Sequence, residues 1–391
     1  MLKHLFKMIW NKKKENFLLI SEILISFMVM FAVFTLIIHF YNNYQKPMGF
    51  EYKDVWSVEF QSSPSSQNKD SISIAHELLK NALMSQPKVK SVSYVSFNTP
   101  FIHSTSSTNI SYKHLSIHCN TYNAEKEYLD VLKLPVIKGR WFNAEDKTAR
   151  IRPIVINRST AIEMGVENPV GIVLGNKNEN QNRIIGLVED FKDMGSYTET
   201  QPGMYTLIDT SNVNYMRKML IRVSPDADAA FESTLYKLIA NTEHSSSLEI
   251  QHLPELLVTK NKDVIIPMII LLVVSGFLIF NVALGLFGVL WYNISKRRGE
   301  IGLRRAIGAS ASGVSYQLVG EALVLATFSL IIGSFFAIQF PLLNVFDLKS
   351  SEYVVSILLS IGFIYLLVIV CALYPGKQAG AIQPAVALHE D

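Results

Sequence analysis

The chain has 391 residues, of which 49% are hydrophobic and only 18% charged. That combination points to a membrane protein with room for two or three domains. A net charge of +3 provides no global basic field and excludes a nucleic-acid binder of the usual kind.

Residues 1–16 carry Leu2, Leu5, Phe6, Ile9 and Trp10 at helical spacing with Lys3 and Lys7 opposite, which predicts an amphipathic helix in the membrane interface. Lys12, Lys13 and Lys14 mark the cytoplasmic side. The apolar run 17–41 is long enough to cross a bilayer. A cleaved signal peptide is the competing reading, but the run exceeds an h-region and no small-residue cleavage site follows it. Glu22 lies about one turn inside the span and faces a partner or snorkels.

Residues 42–262 contain no spanning run and read as a folded extracytoplasmic domain. Trp56, Val58 and Phe60 alternate as a strand, and a Ser/Pro-rich loop follows. Ile74, Leu78, Leu79 and Leu83 have helical spacing, and residues 91–97 alternate again. The pattern returns near the end. Met219, Ile221 and Val223 alternate, Phe231, Leu235, Leu238 and Ile239 mark a helix, and 248–250 read as a strand. Strand–helix–strand twice over predicts an α/β subdomain split by a β-rich insert at about 100–215.

The second apolar run, 263–292, exceeds the roughly 20 residues a bilayer needs, so it predicts a helix that projects outward into the domain. Pro267 falls in its first turn, and Asn281 within it calls for a helix–helix hydrogen bond. Residues 293–313 carry Lys296, Arg297, Arg298, Arg304 and Arg305, too much charge for hydrocarbon. Glu300 and Arg304 stand one turn apart in the favourable order, and Gly308 is a stop signal, so a short cytoplasmic helix is expected between two spans. The plainer reading is a set of positive-inside charges. The third span, 314–340, has Gly320, Ser329, Gly333 and Ser334 at spacings that allow close helix packing. Glu321 at its cytoplasmic edge is a snorkelling or capping acid, or part of a coupling device. An outer loop at 341–352 leads to a fourth span, 353–374, which Pro375-Gly376 ends before the tail 375–391. The asymmetry of Lys and Arg places both termini in the cytoplasm.

Signs of catalysis are lacking. Residues 171–177 have neither the glycine spacing of a phosphate-binding loop nor the Ser/Thr after Lys177, and no nucleophile elbow or His-Glu-x-x-His helix is present. His103, His114, His118 and Cys119 cluster in polar surroundings and read as surface histidines rather than metal ligands. Cys119 and Cys371 have no disulfide or zinc spacing. The spans lack the paired carboxylates of an ion-coupled carrier. No catalytic residue, metal or cofactor is therefore assigned to this chain.

The string Lys296-Arg297-Arg298-Gly299-Glu300-Ile301-Gly302-Leu303-Arg304-Arg305-Ala306-Ile307-Gly308-Ala309 closely resembles the signature between the second and third spans of MacB/FtsX-type ABC transporter permeases, the type VII exporters. Residues 128–134 and Gly139-Arg140-Trp141-Phe142 are similar to a segment of that family's periplasmic core domain. So are Val155-Ile156-Asn157, Asn168-Pro169-Val170-Gly171 and residues 185–191, and the closing motif resembles 374–379 with 383–388. The resemblance implies a four-span α-helical membrane protein with a large α/β and β domain between helices 1 and 2. It implies residence in the bacterial inner membrane as a dimer with an identical or paralogous permease. It also implies a docked pair of ABC ATPase subunits, where ATP and Mg would bind, and in some systems a periplasmic adaptor or outer-membrane channel. Residues 296–309 would form the ATPase-coupling interface, and ATP-driven motion would pass outward by mechanotransmission to export or extract a drug, peptide or lipoprotein. The alternative is an FtsX-like signalling scaffold that regulates a cell-wall hydrolase. MacB carries its ATPase on the same chain, whereas the resemblance here covers permease regions, so a partner polypeptide is expected. Gly376 and Gln378 stand where the family often has Ala and Arg, which weakens any grip of the tail on the ATPase.

Overall fold

The computed structural model describes residues 13–60, 69–96, 98–102, 106–175, 181–208, 217–243 and 247–383, with the backbone alone for 13–16, 69–71 and 243. The amphipathic pattern of residues 1–12, His103 and the closing motif from Pro384 onward lie outside the described residues. The chain forms two compact units, one of residues 43–264 and one combining 1–42 with 265–391.

In chain order the elements are α1 (Lys13–Gln45), β1 (Val55–Phe60), α2 (Lys69–Met84), β2 (Val89–Val95), β3 (Ser107–Tyr112), β4 (Leu115–Ala124) and α3 (Tyr128–Leu132). Then follow β5 (Val136–Gly139), β6 (Arg152–Asn157), α4 (Arg158–Glu163), β7 (Val173–Leu174), β8 (Asn182–Val188), β9 (Gly203–Leu207) and β10 (Lys218–Val223). Last come α5 (Ala229–Glu243), β11 (Leu248–His252), α6 (Leu253–Lys296), α7 (Arg298–Ala306), α8 (Ala311–Leu342) and α9 (Ser350–Gly380).

The unit of residues 43–264 is built on one sheet in the order β11-β1-β10-β2-β4-β9-β6-β8-β5. Its first four strands are both ends of the domain brought together. Their alternation has a plain cause: Trp56, Val58, Met219, Ile221 and Val92 pack under α2 and α5 with Leu79, Leu83, Leu235 and Ile239. Val55, Leu220 and Val95 face the other way, onto α3 and onto Leu253 and Leu257 in the first turns of α6. In the sheet the insert meets this half at the pair Val95 with Ala124, and the two halves share the core around Val55, Leu220 and Tyr205. Within it, β6 alternates as well, with Ile154 and Ile156 in one core and Val155 in the other.

The Gly139-Arg140-Trp141-Phe142 segment is structural. Gly139 has φ of +72°, and a side chain there would collide with the Ile185 carbonyl. Arg140 makes a two-pronged bond to Asp146, at 2.6 and 2.8 Å, while Trp141 and Phe142 enter the core. His118 and Cys119 lie on opposite faces of β4: the histidine is exposed beside Asn109 and the thiol is buried. Both cysteines are free.

In the other unit, α1, α6, α8 and α9 each have the length and apolarity to cross a membrane. Gly333 of α8 brings its backbone against Phe27 and Leu24 of α1, so a Cβ would come within 2.5 Å of the Phe27 ring. Four expectations differ from what the described residues show. Among the described residues a Cβ added at Gly320 would meet nothing within 4 Å, so Gly320 brings no other helix close within this chain. Among the described residues Asn281 is exposed and bonds its own helix, to the Phe277 carbonyl at 2.8 Å, with no bond to another span. Pro375 does not end the fourth span: α9 continues to Gly380, because Gly376 and Gly380 let it pack against Ser315 and Ala311 at the start of α8. Pro267 likewise lies inside α6 rather than in its first turn, since that helix begins directly after β11.

Candidate functional site

The basic stretch forms a helix–turn–helix–turn rather than one continuous element. α6 ends at Lys296, Arg297 breaks the helical run, α7 occupies Arg298–Ala306, and Gly308, with φ of +104°, turns the chain. Ser310 then caps α8 by accepting the Gly313 amide at 3.0 Å. The segment 293–313 is thus shared among three helices.

Burial divides the predicted residues into two sets. Ile301 and Gly302 are buried, and Ile301 packs with Ile294, Val314 and Ala379, so α7 is held by α6, α8 and α9. Leu303 and Ile307, one turn apart on the opposite side, are 52% and 79% exposed, and Tyr316 of α8 is 78% exposed. Lys296, Arg298, Gly299, Glu300, Ala306 and Gly308 are also exposed, and Arg304, Arg305 and Ala309 are half-buried.

The charges form a network within the chain. Glu300 accepts from Arg297 Nε at 3.0 Å and from Arg304 Nη2. Arg297 Nη1 donates to Glu321 at 2.7 Å, Arg304 Nη1 donates to Gln317 at 2.9 Å, and Gln317 Nε2 donates to Glu321 at 3.2 Å. Arg305 donates to the Ala309 carbonyl at 3.0 Å, closing the turn. Glu321 is therefore the acid to which the helix break is tied. Gln317 was not legible in the sequence, since it lies 13 positions from Arg304 with no shared periodicity. This arrangement presents a short, braced helix with an apolar stripe bordered by cations.

Among the described residues no group of His, Cys, Asp or Glu could hold a metal ion. The sequence matches the family described as MacB-like periplasmic core domain over residues 17–235, more than half of the chain, and the family described as FtsX-like permease C-terminal over 272–384. It is 23% identical over 327 residues to the macrolide export ATP-binding/permease protein MacB of Bartonella quintana, covering 76% of this chain and 46% of that protein. It is 25% identical to the protein of the same name from Acinetobacter baylyi, covering 80% and 47%. The chain thus spans just under half the length of these curated relatives. The periplasmic region of MacB from Actinobacillus actinomycetemcomitans aligns at 17% identity and a TM-score of 0.39, covering 56% of this chain and 97% of that one. With a family match over more than half its length, and with four apolar helices framing a sheet-rich domain, the chain belongs to the MacB/FtsX-type ABC transporter permeases and is a membrane protein.

Proposed function

We propose that this permease transmits the motion of an ABC ATPase across the bacterial inner membrane, with both termini in the cytoplasm, to drive export or extraction of a drug, peptide or lipoprotein. α7 is the surface on which an ATPase pair, carrying ATP and Mg, docks. A second permease chain completes the assembly. The observation that carries this reading is the division of α7 into two sides. One side is buried on three spanning helices and braced by Arg297–Glu321 and Arg304–Gln317. The other exposes Leu303 and Ile307 beside cations at the end of a span, where an apolar stripe has no reason to face water unless a partner covers it. α6 supports the transmission step, because a single 44-residue helix leads from this turn to the sheet of the other unit.

The test is a substitution on the open stripe. Leu303→Glu with Ile307→Glu leaves the internal network intact. The double variant is expected to insert and fold but to lose co-purification with its ABC ATPase in mild detergent. Retention of the complex together with normal substrate-stimulated hydrolysis would overturn the assignment. Arg304→Glu is a poorer probe, because Arg304 also bonds Gln317 within the chain.

A further inference from the structure

α1 and α6 are the two helices that cross the division between the units, at residues 42/43 and 264/265. On the side of residues 43–264, the loop from Glu189 to Pro202, between β8 and β9, makes bonds to both of them. Lys192 is the centre of the first attachment. Its side chain is only 1% exposed, and its ammonium donates to the carbonyls of Asn43, Lys46 (2.9 Å) and Ser196 (3.0 Å). Three N–H groups meet three carbonyls. Two of these belong to the last turn of α1 and the residue after it, where helix carbonyls lack helical partners and a cation suits the dipole. The Lys192 amide also donates to the Met48 carbonyl at 2.9 Å, and Tyr44 stacks on Tyr197 at 5.3 Å. Gly49, with φ of +82°, lies so close to Asp190 that no side chain fits there.

The second attachment is at α6. Asn261 accepts the Ser196 amide at 2.9 Å and donates to the Ser196 hydroxyl at 3.3 Å. Gly195, with φ of +109°, sits against the same Asn261 oxygen, where a Cβ would come within 2.9 Å. The loop that carries these attachments is itself fixed to the domain. The Asp190 carboxylate accepts from the Ser159 amide and hydroxyl at 2.8 and 2.7 Å, and Asp193 accepts the Tyr122 hydroxyl at 2.5 Å inside the aromatic core.

We infer that this loop is a cross-brace that ties the end of α1 to the start of α6 through Lys192 and Asn261, so that these two helix ends, both within residues 43–264, move as one body. The inference rests on the mechanotransmission reading above for its purpose, though not for its geometry. A buried ammonium with no carboxylate partner among the described residues is an expensive way to fill space, and burial with Lys46 nearby pulls the amine down to about 8. A leucine or methionine would pack there without that penalty. What the ammonium adds is direction: it holds three named carbonyls at fixed positions.

The brace is tested on the full chain in detergent with nitroxide labels at Gln45→Cys and Lys262→Cys, both exposed positions, the native cysteines being buried. The wild-type background should give one narrow distance distribution. Lys192→Met and, separately, Asn261→Ala should each broaden it and speed amide exchange over residues 44–49 by roughly tenfold or more. Asn261→Ala disturbs no core residue and serves where Lys192→Met fails to fold. Unchanged distributions in folded variants overturn the brace. A separate arm compares amide exchange over residues 253–263 in the complex with its ATPase, with and without ATP. No nucleotide effect there removes the mechanotransmission reading and leaves the brace standing. An effect there combined with unchanged label distances does the reverse.

Discussion

Arg297 and Glu321, 24 positions apart, meet at 2.7 Å and join the break between α6 and α7 to the first turns of α8. Their side chains are 13% and 17% exposed, so the pair is screened far less than a surface bridge. Arg297 also holds Glu300, which makes it the hub of the network. Glu321→Gln should destabilise the helical unit by about 1–2 kcal/mol, because it leaves a partly buried guanidinium short of a counter-charge. Protease cleavage within 296–310 should rise with it. A double-mutant cycle with Arg297→Gln, followed by thermal unfolding in detergent, checks this. Strictly additive effects would show that the pair does no bracing.

Gly333 and Gly320 lie on the same helix and make opposite predictions. Gly333→Leu drives a side chain into Phe27 and Leu24 and should lower stability by about 1–3 kcal/mol. Gly320→Leu meets open space and should change little beyond a small gain in helix propensity. Phe27→Ala in the Gly333→Leu background should recover part of the loss by making room. Melting temperatures of the four proteins decide the matter, and equal losses at both glycines would refute the packing account.

Asn281 makes a third case. It satisfies itself on the Phe277 carbonyl, so Asn281→Leu should leave the stability of the single chain within about 0.5 kcal/mol. A large loss in the isolated chain would mean that the amide has a second partner within the chain.

The four spans and the alternating strands were legible because they follow from period and length. Trp56, Val58 and Phe60 share a face for the same reason that they alternate. What the sequence hid depends on pairs far apart in the chain. Pro375 reads as a stop signal, yet the small residues after it find a packing surface on α8 that outweighs the lost amide. Small residues in α8 look alike as a list, and only the neighbour opposite separates Gly333 from Gly320. Lys192 reads as one more charge in a polar loop, because nothing local marks the carbonyls waiting 146 and 149 positions away. At the basic stretch 296–309 the composition was plain, whereas the break at Arg297 and the bond of Gln317 arise from tertiary contacts.

His76 gives the domain of residues 43–264 an acid sensitivity of known sign. Its side chain is 7% exposed, the ring stacks on Tyr94 at 4.3 Å, and Nδ1 has no hydrogen-bond partner among the described residues. Burial pulls the imidazole down to about 4, against roughly 6.5 in an unfolded chain. Between those values the unfolded chain binds a proton that the folded one refuses. Stability from this group is therefore complete above about pH 6.5 and falls as pH drops towards 4, by up to roughly 3 kcal/mol in total. His76→Phe keeps an aromatic ring against Tyr94 and Phe60 and removes the titration. Amide exchange of β1 and β2 in the full chain, followed from about pH 7 to about pH 4.5, should show the wild type losing protection faster than the variant once intrinsic rates are corrected. Other acid-sensitive groups, Asp146 among them, act in both proteins and cancel in the difference. Parallel curves for the two proteins would show that His76 accepts its proton inside the fold, with the Nδ1 position reached by water.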